Sequence, residues 1–356
     1  MSLDDVRKRI DALDDQLLKL LNERADLVHE VGVIKKADGL QIYAPEREES
    51  VLQALVAKSE GRLPEKSIRG IYREIMSAAL ALEDDLSIAY LGPAGTWTHQ
   101  AAIRKFGASV AYHPQPNFAE VFDQVARRKA SYGVVPIENS TEGAVSHALD
   151  LFIDSPLVIC AQILVRIENC LMASIPIEEI ERIYSHPQVF GQCRNYLNVN
   201  FPKVEQIPVS STAKAAEMAK NEPGAAAMGG TLSGKIHGLT ILDEAVQDSA
   251  TNTTRFLVIG EKTCPCTGDD RTSLMFSVRD RPGSLYDALT PFYEMGINMA
   301  KIESRPSKRK DWEYFFFVDL LGHCEDEKIV QALERLGEHC SMLKVLGSYP
   351  NSTTEP

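Results

Sequence analysis

Val6, Ile10, Leu13, Leu17, Leu20, Arg24, Leu27, Val31 and Ile34 recur at alternating spacings of four and three. That rhythm is a heptad stripe, and it predicts one helix of roughly 50 Å at 1.5 Å per residue. A helix so long cannot bury its stripe against the two shorter helical patterns that follow, one from Pro45 and one from about Pro64 to Glu83. It needs a partner, most simply a second copy of itself. Pro45 suits a first helical turn, where its missing N–H costs nothing.

Arg24 stands in an apolar slot of this stripe. Either it sets register or snorkels to solvent, or it faces an internal anion site. Lys35 favours the anion site, because eleven residues is close to three turns and places it on nearly the same face. Arg7 does not share that face and would reach the same site only from a partner chain. Arg47 and Glu48 begin the second helix and are placed to close the pocket.

The stretch VRKRIDALDDQLLKLLNERADLVHEVGVIKK, followed by APEREESVL, resembles the all-helical chorismate mutase family. The resemblance implies an all-α three-helix domain over 1–85 that forms an intertwined homodimer. It also implies a site built from Arg7 (supplied across the dimer), Arg24, Lys35, Arg47 and Glu48. The reaction, chorismate to prephenate, needs no nucleophile or metal. The protein holds a dianion in its reactive shape and stabilises charge at the ether oxygen. Two positions depart from the family pattern. Ala44 replaces a frequent aspartate, and Glu83 stands where a glutamine often donates to the ether oxygen. An ionised carboxylate cannot donate, so Glu83 is expected to act protonated, a form that burial favours. Mutase activity should then rise as pH falls. Otherwise Glu83 simply ends the helix and faces water.

From residue 87 the texture changes to short β-rich runs, each leading through a small or hydroxyl-rich turn into a helix. These are SIAYL into GPAGTWTHQAA, SYGVV into PIENSTEG, 182–185 into HPQVFGQC, 206–209 into SSTAKAAEMA and 225–228 into GGTLSG. Five such events predict an α/β sheet with polar turns at the carboxyl ends of its strands. Helix N-termini there favour anions. Each turn alone is ordinary capping. The ordered set GPAGT, VVPIENSTEG, SHPQ-x3-QC and NTTRF resembles prephenate dehydratases across 86–262. That implies two α/β lobes around a cleft, like a periplasmic binding protein. Carried over by motif, its residues are Thr96, Glu138, Asn139, Ser140, Ser185, Gln192, Thr254 and Arg255, with Trp97 filling an apolar slot. Prephenate loses carbon dioxide and its ring hydroxyl. Hydroxide leaves poorly, so it must be protonated or strongly hydrogen-bonded. Thr254 is expected at that oxygen. Glu138 either supplies the proton or only positions Asn139. Arg255 either pairs with a substrate carboxylate or makes a structural ion pair.

The last block, 271–350, reads βαββαβ, the ferredoxin-like α+β order. It resembles the ACT regulatory domain, with RPGSLYDAL and Glu303-Ser304-Arg305-Pro306 as its two elements. L-phenylalanine is implied as an effector held by Gly283, Ser284, Leu285, Glu303, Ser304 and Arg305. Ser284 and Tyr286 depart from the usual GALV. The polar GEKTCPCTGDDR between the last two blocks reads as a linker, and the tail NSTTEP as disordered.

A chain of 356 residues exceeds one core and suits two or three domains. A net charge of −12 argues against nucleic acid or anionic membranes. The run Leu157 to Val165 is too short to span a bilayer, and MSLDDVRKRIDALDD has no apolar signal core. A cytoplasmic location follows, with the seven cysteines as free thiols. No cofactor or metal is expected. An even-numbered homo-oligomer is, because two blocks need a partner. The rival readings are a non-enzymatic aromatic-acid sensor and a dehydratase whose mutase block serves only for dimerisation.

Overall fold

The computed structural model describes residues 2–39, 43–83, 85–307 and 313–351. The tail from 352 onward lies outside the described residues. Contacts divide the chain into two compact units, residues 1–87 with 105–111, and residues 88–104 with 112–355.

The first unit is helical. α1 (Leu3–Ala37) opens with a capping box in which Ser2 Oγ accepts from the Asp5 amide and the Asp5 carboxylate accepts from the Ser2 amide. α2 (Pro45–Lys58) starts at its proline, and Ala44 at the N-cap offers no side-chain hydrogen bond. α3 (Glu65–Glu83) packs on both. Gly32 is the buried position of α1, where an added Cβ would meet Glu83 Cγ at 3.1 Å. The heptad stripe stays largely uncovered: Ile10, Leu13, Leu17, Leu20 and Leu27 are each 50–62% exposed. The segment 105–111 is tied to this unit through Ala108 N to Glu74 and Ser109 N to Ser77 Oγ.

The second unit holds three sheets. In the first, β1 (Ser87–Leu91), β2 (Ala111–Gln115), β3 (Tyr132–Asn139), β5 (Val158–Arg166) and β11 (Thr253–Gly260) run in the order β2-β1-β3-β11-β5, with the short β4 (Gly143–Ala144) against β3. The second has β6 (Cys170–Ala173), β7 (Arg182–Ser185), β8 (Glu205–Pro208), β9 (Ala225–Gly229) and β10 (Thr240–Asp243) in the order β10-β6-β9-β7-β8. The chain passes between these sheets twice, at 167–169 and at 244–252. Among the described residues, seven α-helices accompany these sheets: α4 (Trp97–Phe106), α5 (Phe118–Ala126), α6 (Ser146–Leu151), α7 (Pro187–Gln192), α8 (Arg194–Asn200), α9 (Thr212–Asn221) and α10 (Thr231–His237), and four strand ends lead as expected into α4, α7, α9 and α10. The fifth differs. Pro136 to Asn139, expected as a turn, continues β3. Proline fits there because the register against β11 shifts between Arg255, opposite Glu138, and Phe256, opposite Pro136, a local bulge.

The third sheet is antiparallel: β12 (Asp270–Val278), β13 (Met299–Pro306), β14 (Tyr314–Leu321) and β15 (Cys340–Pro350), ordered β13-β14-β12-β15, with α11 (Ser284–Glu294) and α12 (Glu327–His339) on one face. Its other face shares a core with the first sheet. Met275, Phe315, Phe317, Leu346 and Tyr349 pack with Leu149, Phe152, Ile159 and Leu257. The approach is close enough that Gly347 (φ +146) has no room for a Cβ beside the Ile159 carbonyl. The expected linker is therefore pinned rather than free. Cys264 is buried, donates its amide to Ser348 O, and offers its carbonyl to buried His323. All seven cysteines are free thiols. No described helix is long and apolar enough to cross a membrane.

Candidate functional site

The helical unit gathers charge where α1, α2 and α3 meet. Lys35 Nζ lies 3.3 Å from Glu83 Oε2, and the Glu83 side chain is only 7% exposed. Glu48 Oε2 lies 3.8 Å from Lys105 Nζ. Burial pushes the Glu48 carboxyl up to about 7, and this outweighs the lowering effect of Lys105 and Lys35. Arg24 is half-buried and Arg47 exposed. Arg7 is exposed, within 3.7 Å of Asp4. It lies seventeen residues before Arg24, about 25 Å along the helix axis. One chain thus brings Lys35, Glu48 and Glu83 together and leaves Arg7 apart. Lys105 was not legible as a member of this cluster, because it sits far along the sequence among α/β patterns.

In the second unit a cavity of about 410 Å³ opens among the strand ends of the first two sheets. Of the expected residues, Thr96, Trp97, Asn139, Gln192 and Thr254 line it. Register explains the central pair, since Asn139 and Thr254 are direct partners across β3 and β11. Asn139 Oδ1 accepts from the amides of Thr141 and Glu142 and from Thr141 Oγ1. Backbone N–H groups only donate, so the amide orientation is set and Nδ2 must face the other way. It donates to Thr254 Oγ1 at 2.8 Å and to Asn252 Oδ1 at 2.8 Å. Thr254 therefore receives a hydrogen bond and keeps its own O–H free for the cavity.

Thr96 is differently employed. Its Oγ1 caps α4 by accepting from the His99 amide, and it donates to Leu91 O. Burial lowers the pKa of His99, which stacks on Tyr90 at 4.5 Å. Gln192 Oε1 accepts from buried Asn169, which lies where the chain crosses between sheets. Ser211 caps α9 through the Lys214 amide and brings that helix N-terminus to the cavity wall beside Thr212. The sequence SSTAK carried this signal. Asn252 opens the NTTRF motif without a role readable there, and Asn169 carried no signal, since what both do depends on which strands become neighbours.

The other four expected residues lie off the cavity. Ser185 is fully buried and donates to Met228 O, a bond between adjacent strands. Ser140 is exposed and closes a loop, donating to Thr251 O and accepting from the Thr253 amide. Glu138 and Arg255 point to the opposite face of their sheet, because side chains alternate along a strand and their neighbours Asn139 and Thr254 take the cavity face. Arg255 instead meets Asp319 at 2.5 Å and Tyr349 at 2.7 Å, both on the third sheet. Arg305 is likewise engaged outside its expected role, binding Asp150 of α6 (Ser146–Leu151) with both carboxylate oxygens. Along β13, Glu303 is half-buried and Ser304 exposed. Gly283 (φ +83) caps α11, buried Ser284 accepts from Arg281, and Leu285 packs partly into the helix–sheet core. Tyr286 is exposed.

Family profiles match in three consecutive stretches: chorismate mutase type II over residues 6–84, prephenate dehydratase over 88–264 and the ACT domain over 272–338. A bifunctional chorismate mutase/prephenate dehydratase of Aquifex aeolicus is 46% identical over 355 residues, covering 98% of each chain. One from Stutzerimonas stutzeri is 44% identical over 354 residues, 98% of this chain and 97% of that one. A prephenate dehydratase from Arthrobacter aurescens, solved in complex with L-Phe, superposes with a TM-score of 0.71 at 32% identity, covering 76% of this chain and 92% of that one. With identity running through both the helical and the α/β stretches, the chain belongs to the bifunctional chorismate mutase/prephenate dehydratase family, which rearranges chorismate to prephenate and converts prephenate to phenylpyruvate.

Proposed function

We propose that Thr254 donates its hydroxyl hydrogen to the departing ring oxygen of prephenate. The observation that carries this reading is the 2.8 Å bond from Asn139 Nδ2, which occupies a Thr254 lone pair and leaves the O–H pointing elsewhere. As the ring carboxylate leaves as carbon dioxide, its bonding electrons aromatise the ring and the C–O bond breaks. The leaving oxygen then needs a donor. A hydroxyl that already accepts a hydrogen bond is a better donor. The N-termini of α4 and α9 at the cavity wall supply N–H groups for the substrate's carboxylates. Gln192, held by Asn169, adds a further polar contact.

In the helical unit, Arg24, Lys35 and Arg47, with Arg7 from a second copy, bind the chorismate dianion. The uncovered α1 stripe supports a homodimer, because monomeric proteins rarely leave so much contiguous apolar surface. Glu83, held by Lys35 at 3.3 Å, stands at the donor position for the ether oxygen. In Glu83→Gln an amide that donates replaces the carboxyl, so the mutase kcat is expected to rise. A kcat identical to wild type would remove Glu83 from the mechanism.

Glu48 should act on binding instead. Its carboxyl is neutral below about 7 and anionic above. An anion beside the dianion repels it, so KM for chorismate should climb as pH rises through that value. The sign for stability agrees: the folded pKa lies above the ordinary 4.5, so the contribution is full below 4.5 and lost as pH rises through about 7. Glu48→Gln is expected to flatten the KM profile. A KM that still climbs in this variant would point to another group.

The βαββαβ order with its antiparallel β13-β14-β12-β15 sheet supports a ferredoxin-like reading of the ACT domain. The L-Phe complex of the Arthrobacter aurescens relative supports L-phenylalanine as feedback effector near the start of α11 and Glu303-Ser304. A cytoplasmic site of action fits the free thiols. Supplying chorismate and prephenate separately to the purified chain, with and without L-phenylalanine, tests all three roles. Failure of prephenate to yield phenylpyruvate would overturn the dehydratase assignment.

A further inference from the structure

Thr254 and Asn139 face the cavity, and their chain neighbours Arg255 and Glu138 face the third sheet. What those neighbours meet is a closed ionic cluster. Arg255 is 7% exposed. One guanidinium nitrogen lies 2.5 Å from Asp319 and 3.7 Å from Glu138, and another donates to the Tyr349 hydroxyl at 2.7 Å. Asp319 also accepts from Ser273 Oγ at 2.5 Å and faces Arg271 at 3.5 Å. Ser273 and Tyr349 are hydrogen-bonded at 2.6 Å, and Lys301 pairs with Glu138 at 2.8 Å. Every strand of the third sheet contributes: β12 through Arg271 and Ser273, β13 through Lys301, β14 through Asp319, β15 through Tyr349.

Burying so many charges is poor value for stability, since desolvation offsets most of the attraction. What such a cluster supplies is geometry. The guanidinium is a planar fork whose N–H groups donate only in its own plane. Two of its arms are held by the third sheet, and its backbone is that of the residue after Thr254. One side chain thereby joins the third sheet to the strand that carries Thr254.

We propose that Arg255 is a positioning residue for the dehydratase, clamped from behind by Asp319 and Tyr349, so that the ACT sheet sets Thr254 and Asn139 at their working distance. This rests on reading those two residues as the dehydratase site. Of the two readings the sequence leaves open for Arg255, this geometry favours the ion pair, because its two terminal nitrogens hold Asp319 and Tyr349 and it does not line the cavity.

The test uses the full chain with Arg255→Lys, Asp319→Asn, Tyr349→Phe and Thr254→Val, measuring kcat and KM for prephenate. Arg255→Lys and Asp319→Asn should lower kcat by about tenfold or more, since ångström-scale misplacement is that costly. KM should stay within about twofold, because no substrate contact is removed. Tyr349→Phe deletes one hydroxyl and keeps all charges, so it decides the matter if the charge variants lose their thermal transition. Its kcat should fall about threefold or more. A raised KM with kcat held would restore Arg255 to substrate binding and overturn the clamp. Wild-type kcat in Tyr349→Phe and in every folded charge variant, with Thr254→Val inactive, would overturn it too. Wild-type turnover in Thr254→Val would instead sink the site reading beneath it.

Discussion

Thr254→Val is expected to lower prephenate turnover by about a thousandfold, within the range of a lost proton-transfer or leaving-group contact, while chorismate rearrangement continues. The substitution keeps the branched shape and removes only the hydroxyl. Asn139 retains its bond to Asn252 and its three acceptor contacts, so the loop at 141–142 stays organised. Thr254→Ser restores the hydroxyl and should recover most of the rate. Phenylpyruvate formation followed by absorbance reads the effect, and the mutase reaction on the same preparation confirms the amount of active chain. A valine variant within threefold of wild type would show that the leaving oxygen is served by another group.

Lys35→Ala is expected to lower chorismate rearrangement by about 10²–10³-fold, the usual loss when one preorganised cationic or hydrogen-bonding contact is removed, with prephenate turnover unchanged. A folding loss must be separated from this. Lys35 offsets Glu83, whose side chain is 7% exposed, and an unpaired buried carboxylate destabilises. Lys35 itself is 23% exposed, so part of that cost is screened by solvent. The double variant Lys35→Ala with Glu83→Gln removes the unpaired charge. It should regain the thermal midpoint without regaining the rate. If Lys35→Ala keeps its rate, Lys35 lies outside the mutase machinery and its pairing with Glu83 is structural.

Much of the architecture is legible in the sequence. The heptad spacing, Pro45 and the run to Glu83 mark three helices whose observed ranges are Leu3–Ala37, Pro45–Lys58 and Glu65–Glu83. These depend on local periodicity, which a sequence displays directly. The turns before α4 and α9 were equally plain, since Thr96 and Ser211 are caps and caps act within a few residues. Pro136–Asn139 misled because proline, asparagine and serine usually make turns. A bulge against β11 let the strand absorb them.

Local pattern determined the helices, most strands and their order along the chain, and the family resemblance singled out Asn139, Gln192 and Thr254. Only the tertiary structure decided which way each of those residues faces. The NTTRF motif places Thr254 and Arg255 side by side, and nothing local says that one lines a cavity and the other meets Asp319. That choice belongs to the sheet. Its strand alternation sends neighbours to opposite faces, and the long-range packing of the third sheet makes the second face a buried ionic interface. Lys105 beside Glu48 has the same origin: the two are distant in sequence, and only the folded chain sets them 3.8 Å apart.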